Sequence, residues 1–161
     1  MGRISIVLSV FVVFAVFAVA SASAAELPAR KAGLWEITIA GPHSVKVRQC
    51  SDAASDQAMA AAGIGLTGDC PKHDVQESGG AITIDSVCKS AGKTTSSHIV
   101  ITGSLESKYT MTMTSRAAGV SAGAPMTLYA EWLGPCRADQ KPGDVIMPNG
   151  TKVNVLKAAG R

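Results

Sequence analysis

Four cysteines carry the most specific chemistry in this 161-residue chain, because thiols form disulfides, bind metals or take part in redox reactions. They are Cys50, Cys70, Cys88 and Cys136. No Cys-x-x-Cys motif is present, which argues against thioredoxin-like redox chemistry. The cysteines also lie too far apart for the closely spaced ligand pairs of a typical zinc site. In an exported chain, an even number of cysteines predicts disulfides, and we assign no metal site.

The segment from Cys70 to Cys88 is nearly symmetrical about a Ser-Gly-Gly sequence at residues 78–80, which predicts a hairpin. If all three of these residues form the loop, Cys70 lies directly opposite Cys88. His73 then lies opposite Asp85, which is a favourable cross-strand pair. We therefore expect a three-residue loop and a disulfide between the two ends of the hairpin.

A two-residue Gly-Gly turn is the alternative for this hairpin. It would set Asp74 against Asp85, which places two negative charges opposite each other. In its favour, it would bring Val75 and Ile84 to the same face of the sheet.

The disulfide pairing follows from the hairpin only in part, since four cysteines allow three pairings. The favoured arrangement joins Cys70 to Cys88 and Cys50 to Cys136. The second choice joins Cys50 to Cys70, across the predicted helix, and Cys88 to Cys136.

The histidines give no sign of a catalytic site. Nucleophilic catalysis needs a base close to an activated Ser, Cys or Lys. His43, His73 and His98 are isolated from each other and from any nucleophile motif in the sequence. The carboxylates of the predicted strands fall on polar faces, where solvation explains them. We assign no catalytic residue and no cofactor, and a hydrolytic or redox enzyme with scattered residues is the competing hypothesis.

One apolar surface is the candidate binding site. Methionine side chains adapt to varied apolar shapes, and several project from the same face of the predicted strands. A small barrel is commonly filled by its own side chains, and this is the favoured interpretation. The leading function hypothesis is nevertheless a non-enzymatic exported protein that binds an apolar small molecule or an envelope protein through this face, where the filling is incomplete. Its residues are Trp35, Ile37, Met111, Met113, Met126 and Trp132.

The elements that must position these residues are strands, because apolar and polar residues alternate with a period of two. The clearest examples are LWEITIA, YTMTMTS and MTLYAEWL. One-sided sheets are typically antiparallel. The fold class is therefore mainly β: an antiparallel meander of about seven to nine strands, forming a curled or small barrel-like sheet.

Two further elements are predicted outside this alternation. The segment SDAASDQAMAAAGIG predicts one short helix, capped by Ser51 or Asp52 and ended by Gly63. Near the end of the chain, Asn149-Gly150 is a strong turn signal and predicts a possible hairpin.

The first residues predict a secretory signal peptide over residues 1–24. Arg3, a long apolar run and an Ala/Ser-rich exit are its three parts. Cleavage before Ala25 is favoured over cleavage before Glu26, and a retained membrane anchor is the alternative. After cleavage we expect a disulfide-linked β domain over residues 25–136, an extension over residues 137–161 and no stable membrane insertion. The expected location is the periplasm or the exterior.

The mild net charge argues neither for nor against nucleic-acid binding, whereas the low aromatic content argues against single-strand binding, and we expect no nucleic-acid partner. The net charge is +3, with no block of Lys or Arg residues. The chain has seven aromatic residues, and its three phenylalanines lie in the predicted leader. Few aromatic rings are thus left for base stacking.

Several motifs together resemble a known family. They are KAGLWEITI, VRQC, a C…GG…C hairpin, ITGSLESKYTMTMTS and a closing EWLGPC. In combination, from about Lys31 to Cys136, they are similar to the bacterial exported family of unknown function DUF3617. The resemblance implies a bacterial source and an exported location. It transfers no catalytic residue, and it leaves a purely structural role in the envelope as a third hypothesis.

Overall fold

The computed structural model describes residues 27–66 and 68–158. The predicted leader, residues 1–24, lies outside the described residues. Within the described ranges, no helix is long and apolar enough to cross a membrane.

The described chain forms one nine-stranded sheet in which every neighbouring pair of strands is antiparallel. This confirms the mainly β fold class, and the sheet is open rather than closed, in the order β3-β4-β5-β6-β7-β1-β2-β8-β9. The strands are β1 Gly33–Ile39, β2 Val45–Ser51, β3 Asp69–Ser78, β4 Ala81–Ser90, β5 Lys93–Ser104, β6 Lys108–Ala117, β7 Met126–Gly134, β8 Asp144–Ile146 and β9 Lys152–Asn154.

The strand order is a meander with one rearrangement. Strands β3 to β7 follow each other in the sheet as they do in the sequence. Strand β1 then lies between β7 and β2, pairing Trp35 with Trp132 on one side and Ile37 with Val47 on the other. The centre of the sheet therefore joins residues from both ends of the described chain.

The hairpin of β3 and β4 has a shorter loop than expected. Ser78 faces Ala81, so that only Gly79 and Gly80 form the turn. Both glycines have positive φ angles, of 59° and 77°, which the two-residue hairpin turn requires. The three-residue loop was therefore wrong, and the twist of the tight turn decides the register.

The same register sets Asp74 opposite Asp85 and His73 opposite Ser86, so the expected pair of His73 with Asp85 is also wrong. Asp85 instead pairs with His98 on the next strand, with His98 Nδ1 and Asp85 Oδ1 2.9 Å apart. Val75 faces Ile84, which extends an apolar row across the inner face. Burial of that row outweighs the repulsion between two exposed carboxylates.

An irregularity in β3 still brings its cysteine to the expected partner. The register shifts between Asp69 and Lys72, which restores the position of Cys70 opposite Cys88. The two disulfides of the structure are Cys70–Cys88 and Cys50–Cys136, which is the favoured pairing. Their Cα atoms are 4.0 Å and 5.5 Å apart, respectively.

The single predicted helix is α1, Ala53–Gly63. Asp52 is its N-cap, and its carboxylate and the Ser55 hydroxyl accept hydrogen bonds from each other's backbone N–H groups. The prediction that a left-handed Gly63 ends the helix was wrong. Ile64 is the C-cap, and the left-handed residue is Gly65, with φ of +74°.

The described part of the extension, residues 137–158, continues the sheet. Strands β8 and β9 form the hairpin expected around Asn149-Gly150, and β8 pairs with β2. Asp144 accepts hydrogen bonds from Lys141 N and Asn154 Nδ2, both at 2.9 Å, which fixes the hairpin. A second short helix, α2, covers Val155–Ala158.

The core lies on one face of the sheet, beneath α1 and the segment of residues 27–32. Alternate residues of β1, β2 and β4 to β7 point to this inner face. Its buried members are Leu27, Trp35, Ile37, Val47, Ile64, Ile84, Ile99, Ile101, Tyr109, Met111 and Ala130.

Candidate functional site

A cavity of about 220 Å³ lies between the inner face of the sheet, helix α1 and the segment of residues 27–30. It is partly open to solvent and mainly apolar. Six strands, β1, β2 and β4 to β7, supply its floor, and α1 supplies its roof. The lining residues are Leu27, Pro28, Arg30, Ile37, Ile39, Val47, Gln49, Asp56, Met59, Ala60, Gly63, Ile64, Ile84, Ile101, Leu105, Tyr109, Met111, Met126 and Leu128.

Three residues of the predicted apolar face line this cavity: Ile37, Met111 and Met126. They come from β1, β6 and β7, whose pairing places them on one face. Ile37 and Met111 are buried, and Met126 is partly exposed.

The other three residues of the predicted face lie elsewhere. Trp35 is fully buried in the core, at 0% exposure. Met113 and Trp132 are partly buried against the core and do not line the cavity. All six lie on the inner side of the sheet or pack against the core, but the alternation contains no information on where the packing leaves space.

The two tryptophans hold the segment before β1 against the sheet. Trp35 Nε1 donates to the Lys31 carbonyl at 2.8 Å, and Trp132 Nε1 donates to the Ala32 carbonyl at 3.1 Å. The Lys31 ammonium lies 3.8 Å from the centre of the Trp132 ring, a cation–π contact. At Gly33, an added Cβ would meet the Gly134 carbonyl and Trp132 Nε1 at 2.5 Å, so a side chain has no room there.

A buried ion pair forms the polar end of the cavity. Arg30 donates from Nε to Asp56 Oδ1 at 2.7 Å and from its backbone N–H to Oδ2 at 2.8 Å. Arg30 Nη2 also lies 2.6 Å from Oδ1. The side chains are only 8% and 2% exposed, so the two charges neutralise each other away from water.

Two neutral side chains complete this polar cluster of Arg30, Asp56, Gln49 and Tyr109. Arg30 Nη2 donates to Gln49 Oε1 at 3.1 Å, and Nη1 donates to the Tyr109 hydroxyl at 3.3 Å. Burial raises the pKa of Tyr109, and the nearby Arg30 opposes this effect only in part. The phenol is therefore protonated at neutral pH.

The sequence reasoning missed the polar cluster. Arg30 lies before the first strand, in a segment without periodicity. A signal for Asp56 was nevertheless present: with Met59, Ala60 and Gly63 it occupies the i, i+3, i+4, i+7 positions of one helix face. A carboxylate on an otherwise apolar helix face predicts a buried partner.

The histidines do not meet at any site. His98 pairs with Asp85 on the exposed outer face, and His43 is exposed in the turn between β1 and β2. His73 lies on β3, and its Nε2 is buried without a hydrogen-bond partner among the described residues. No group of three or more His, Cys, Asp or Glu residues in the described part of the chain has the arrangement of a metal site.

The sequence model of a protein family described as a protein of unknown function, DUF3617, matches residues 30–136. No curated protein and no solved structure matches the chain. The matched range contains all four cysteines, helix α1 and the whole polar cluster, from Arg30 to Tyr109. It thus covers most of the chain and nearly all of the cavity. The chain belongs to the DUF3617 family.

Proposed function

We propose that this is an exported, non-enzymatic protein that binds a small, mainly apolar molecule in the cavity beneath α1. The observation that carries the proposal is the cavity itself: the inner face of the sheet is not filled by its own side chains. An apolar pocket with a few converging polar groups is the usual form of a small-molecule site.

The volume restricts the ligand. A dry, apolar cavity of about 150 Å³ is enough to bind benzene. Pockets for drug-sized ligands have about 300–1,000 Å³. At about 220 Å³, this cavity accommodates one ring with a short substituent, or a short aliphatic chain. A longer ligand would project through the opening.

The lining supports binding rather than catalysis. None of the three histidines lines the cavity. The two charged residues that line it within the described ranges, Arg30 and Asp56, form an ion pair with each other. The flexible Met59, Met111 and Met126 side chains line it as well, and methionine adjusts to ligands of different shape.

Export is supported by the disulfides. Disulfides persist in oxidising compartments such as the periplasm and the exterior, and all four cysteines are paired. Together with the signal peptide expected over residues 1–24, they favour a periplasmic or secreted protein.

The proposal is tested by placing a larger side chain of helix α1 in the cavity. Ala60 lines the cavity and is partly buried, whereas Ala54 lies on the exposed face of the same helix. Ala60→Leu places a larger side chain in the cavity, and Ala54→Leu is the matched control. We expect cumene, an aromatic hydrocarbon, to bind the wild-type protein and Ala54→Leu equally, and to bind Ala60→Leu at least tenfold more weakly.

The measurement is a titration followed by ¹H–¹⁵N NMR spectra, which also locates the probe. In the wild-type protein, the amides of Ile84, Ile101 and Met111 should shift more than those of the outer face. Failure of cumene to bind, or unchanged binding by Ala60→Leu, would refute the cavity as the site. Shifts confined to exposed apolar residues would instead favour a protein partner.

A further inference from the structure

The geometry points to a ligand that carries an uncharged hydrogen-bond acceptor, such as a ketone or ester carbonyl, held at the polar end of the cavity by Tyr109 and Gln49. This inference rests on the proposed function and specifies the chemical class of the ligand. It follows from the donors that remain at this end of the cavity and from its net charge.

The Tyr109 hydroxyl has a hydrogen to donate. It accepts a hydrogen bond from Arg30 Nη1, and no described residue accepts one from it. The ring is buried against Trp35, with the ring centres 5.6 Å apart, so its direction is fixed. A buried donor without an acceptor destabilises the protein, and a ligand oxygen in the cavity would satisfy it.

Gln49 presents a second donor beside it. Its Oε1 accepts from Arg30 Nη2, which orients the amide and leaves Nε2 as the free end. No described residue accepts a hydrogen bond from Gln49 Nε2. Gln49 and Tyr109 both line the cavity and both contact Arg30, so their donors lie at the same end.

The charge of this end selects a neutral ligand group. Among the described residues, the only charged side chains that line the cavity are Arg30 and Asp56, and they form a buried pair with no net charge. A carboxylate or an ammonium group would lose its hydration without gaining an opposite charge, which is strongly unfavourable. A carbonyl oxygen accepts from both donors at a much smaller desolvation penalty.

The test uses three probes of closely similar shape: cumene, acetophenone and benzoate. Acetophenone differs from cumene by a carbonyl oxygen in place of a methyl group, and benzoate adds the negative charge. Their dissociation constants are measured by the same NMR titration. The protein variants are Tyr109→Phe and, as the matched control, Tyr129→Phe, whose side chain is half exposed on the outer face.

Comparing the ratio of acetophenone to cumene affinity between the wild-type protein and a variant cancels the difference in hydrophobicity of the two probes. One hydrogen bond changes this ratio by about three- to tenfold. We expect Tyr109→Phe to lower it by that factor and Tyr129→Phe to leave it unchanged. We also expect benzoate to bind the wild-type protein at least tenfold more weakly than acetophenone.

The outcomes separate this inference from the proposed function. If cumene binds but the ratio is the same in the wild-type protein and Tyr109→Phe, the cavity is a site and the head-group inference is wrong. Benzoate binding as tightly as acetophenone would also overturn it. If no probe binds, both fail. Should Tyr109→Phe not fold, Gln49→Leu is measured in its place with the same expectation.

Discussion

At the scale of single residues, Arg30 connects more of the molecule than any other side chain of the polar cluster. It contacts helix α1 through Asp56, strand β2 through Gln49 and strand β6 through Tyr109. Its guanidinium also lies 5.5 Å from the Trp35 ring centre. A planar group with five donors is suited to this role, and a lysine would not replace it.

Removing Arg30 tests how much the Arg30–Asp56 ion pair stabilises the fold. Arg30→Met leaves Asp56 buried without its partner, and breaking a buried pair in this way destabilises a protein by about 3–5 kcal/mol. As a control, Lys108→Met removes the exposed pair with Glu131, whose side chains are 70% and 60% exposed. That pair contributes about 0–1 kcal/mol.

Urea unfolding, monitored by circular dichroism, gives the free energy of unfolding of each variant and of the wild-type protein. Equal losses of stability in Arg30→Met and Lys108→Met would mean that the Arg30–Asp56 pair is not buried as described.

At the scale of elements, the N-cap stabilises helix α1, which forms the roof of the cavity. The pKa of Asp52 is lowered, first by the hydrogen bond from the Ser55 backbone N–H and then by the one from the Ser55 hydroxyl. The carboxylate form is thus favoured in the folded state. This contribution to stability is present above the ordinary pKa of 3.8 and is lost as the pH falls through the lower folded value.

Replacement of the cap gives a pH-dependent prediction. Asp52→Ala should lower the free energy of unfolding by about 1 kcal/mol at pH 7. The difference from the wild-type protein should shrink as the pH falls below about 4. Glu106→Ala, which removes an exposed carboxylate from the β5–β6 turn, is the control. A loss for Asp52→Ala that stays constant down to pH 2 would contradict the role of the charged cap.

The elements themselves were largely predictable, because the central strands are more buried on one face than on the other and their alternation with a period of two reflects this. The hairpin register was not. The sequence offered a favourable His73–Asp85 pair, but burial of Val75 against Ile84 and the twist of the Gly79-Gly80 turn decide it. Local charge pairs on an exposed face are weaker than both effects.

At the scale of the whole molecule, the two disulfides act over different distances. Cys70 and Cys88 join neighbouring strands and are separated by 18 positions, whereas Cys50 and Cys136 are separated by 86. A cross-link restricts the unfolded chain more when the loop it closes is longer. The Cys50–Cys136 disulfide therefore contributes more to stability.

Two double variants compare the disulfides. By the chain-entropy estimate, Cys50→Ala/Cys136→Ala should lose about 4–5 kcal/mol and Cys70→Ala/Cys88→Ala about 3 kcal/mol. Urea unfolding of both variants, each against the oxidised wild-type protein, measures the difference. A larger loss for Cys70→Ala/Cys88→Ala would show that strain or residual structure, not loop length, sets their contributions.

The closure of the sheet and the cavity were beyond what the sequence reveals, for a physical reason. An open sheet and a barrel have the same alternation of apolar and polar residues. The space beneath α1 depends on how side chains from six strands, the helix and the preceding segment fit together. Arg30 reaches Asp56 across 26 positions and Tyr109 across 79, which no local pattern records.

The position of β1 has a consequence for the order of folding. The hairpins from β3 to β7 connect neighbours in the sequence and close short loops, so they are expected to form first. Strand β1 pairs with β7 only after nearly the whole described chain has been brought together, as Trp35 reaches Trp132. Until then the inner face of the meander is exposed to water. From this arrangement we expect the pairing of β1 with β7 to be a late step in folding, and only this step completes the cavity.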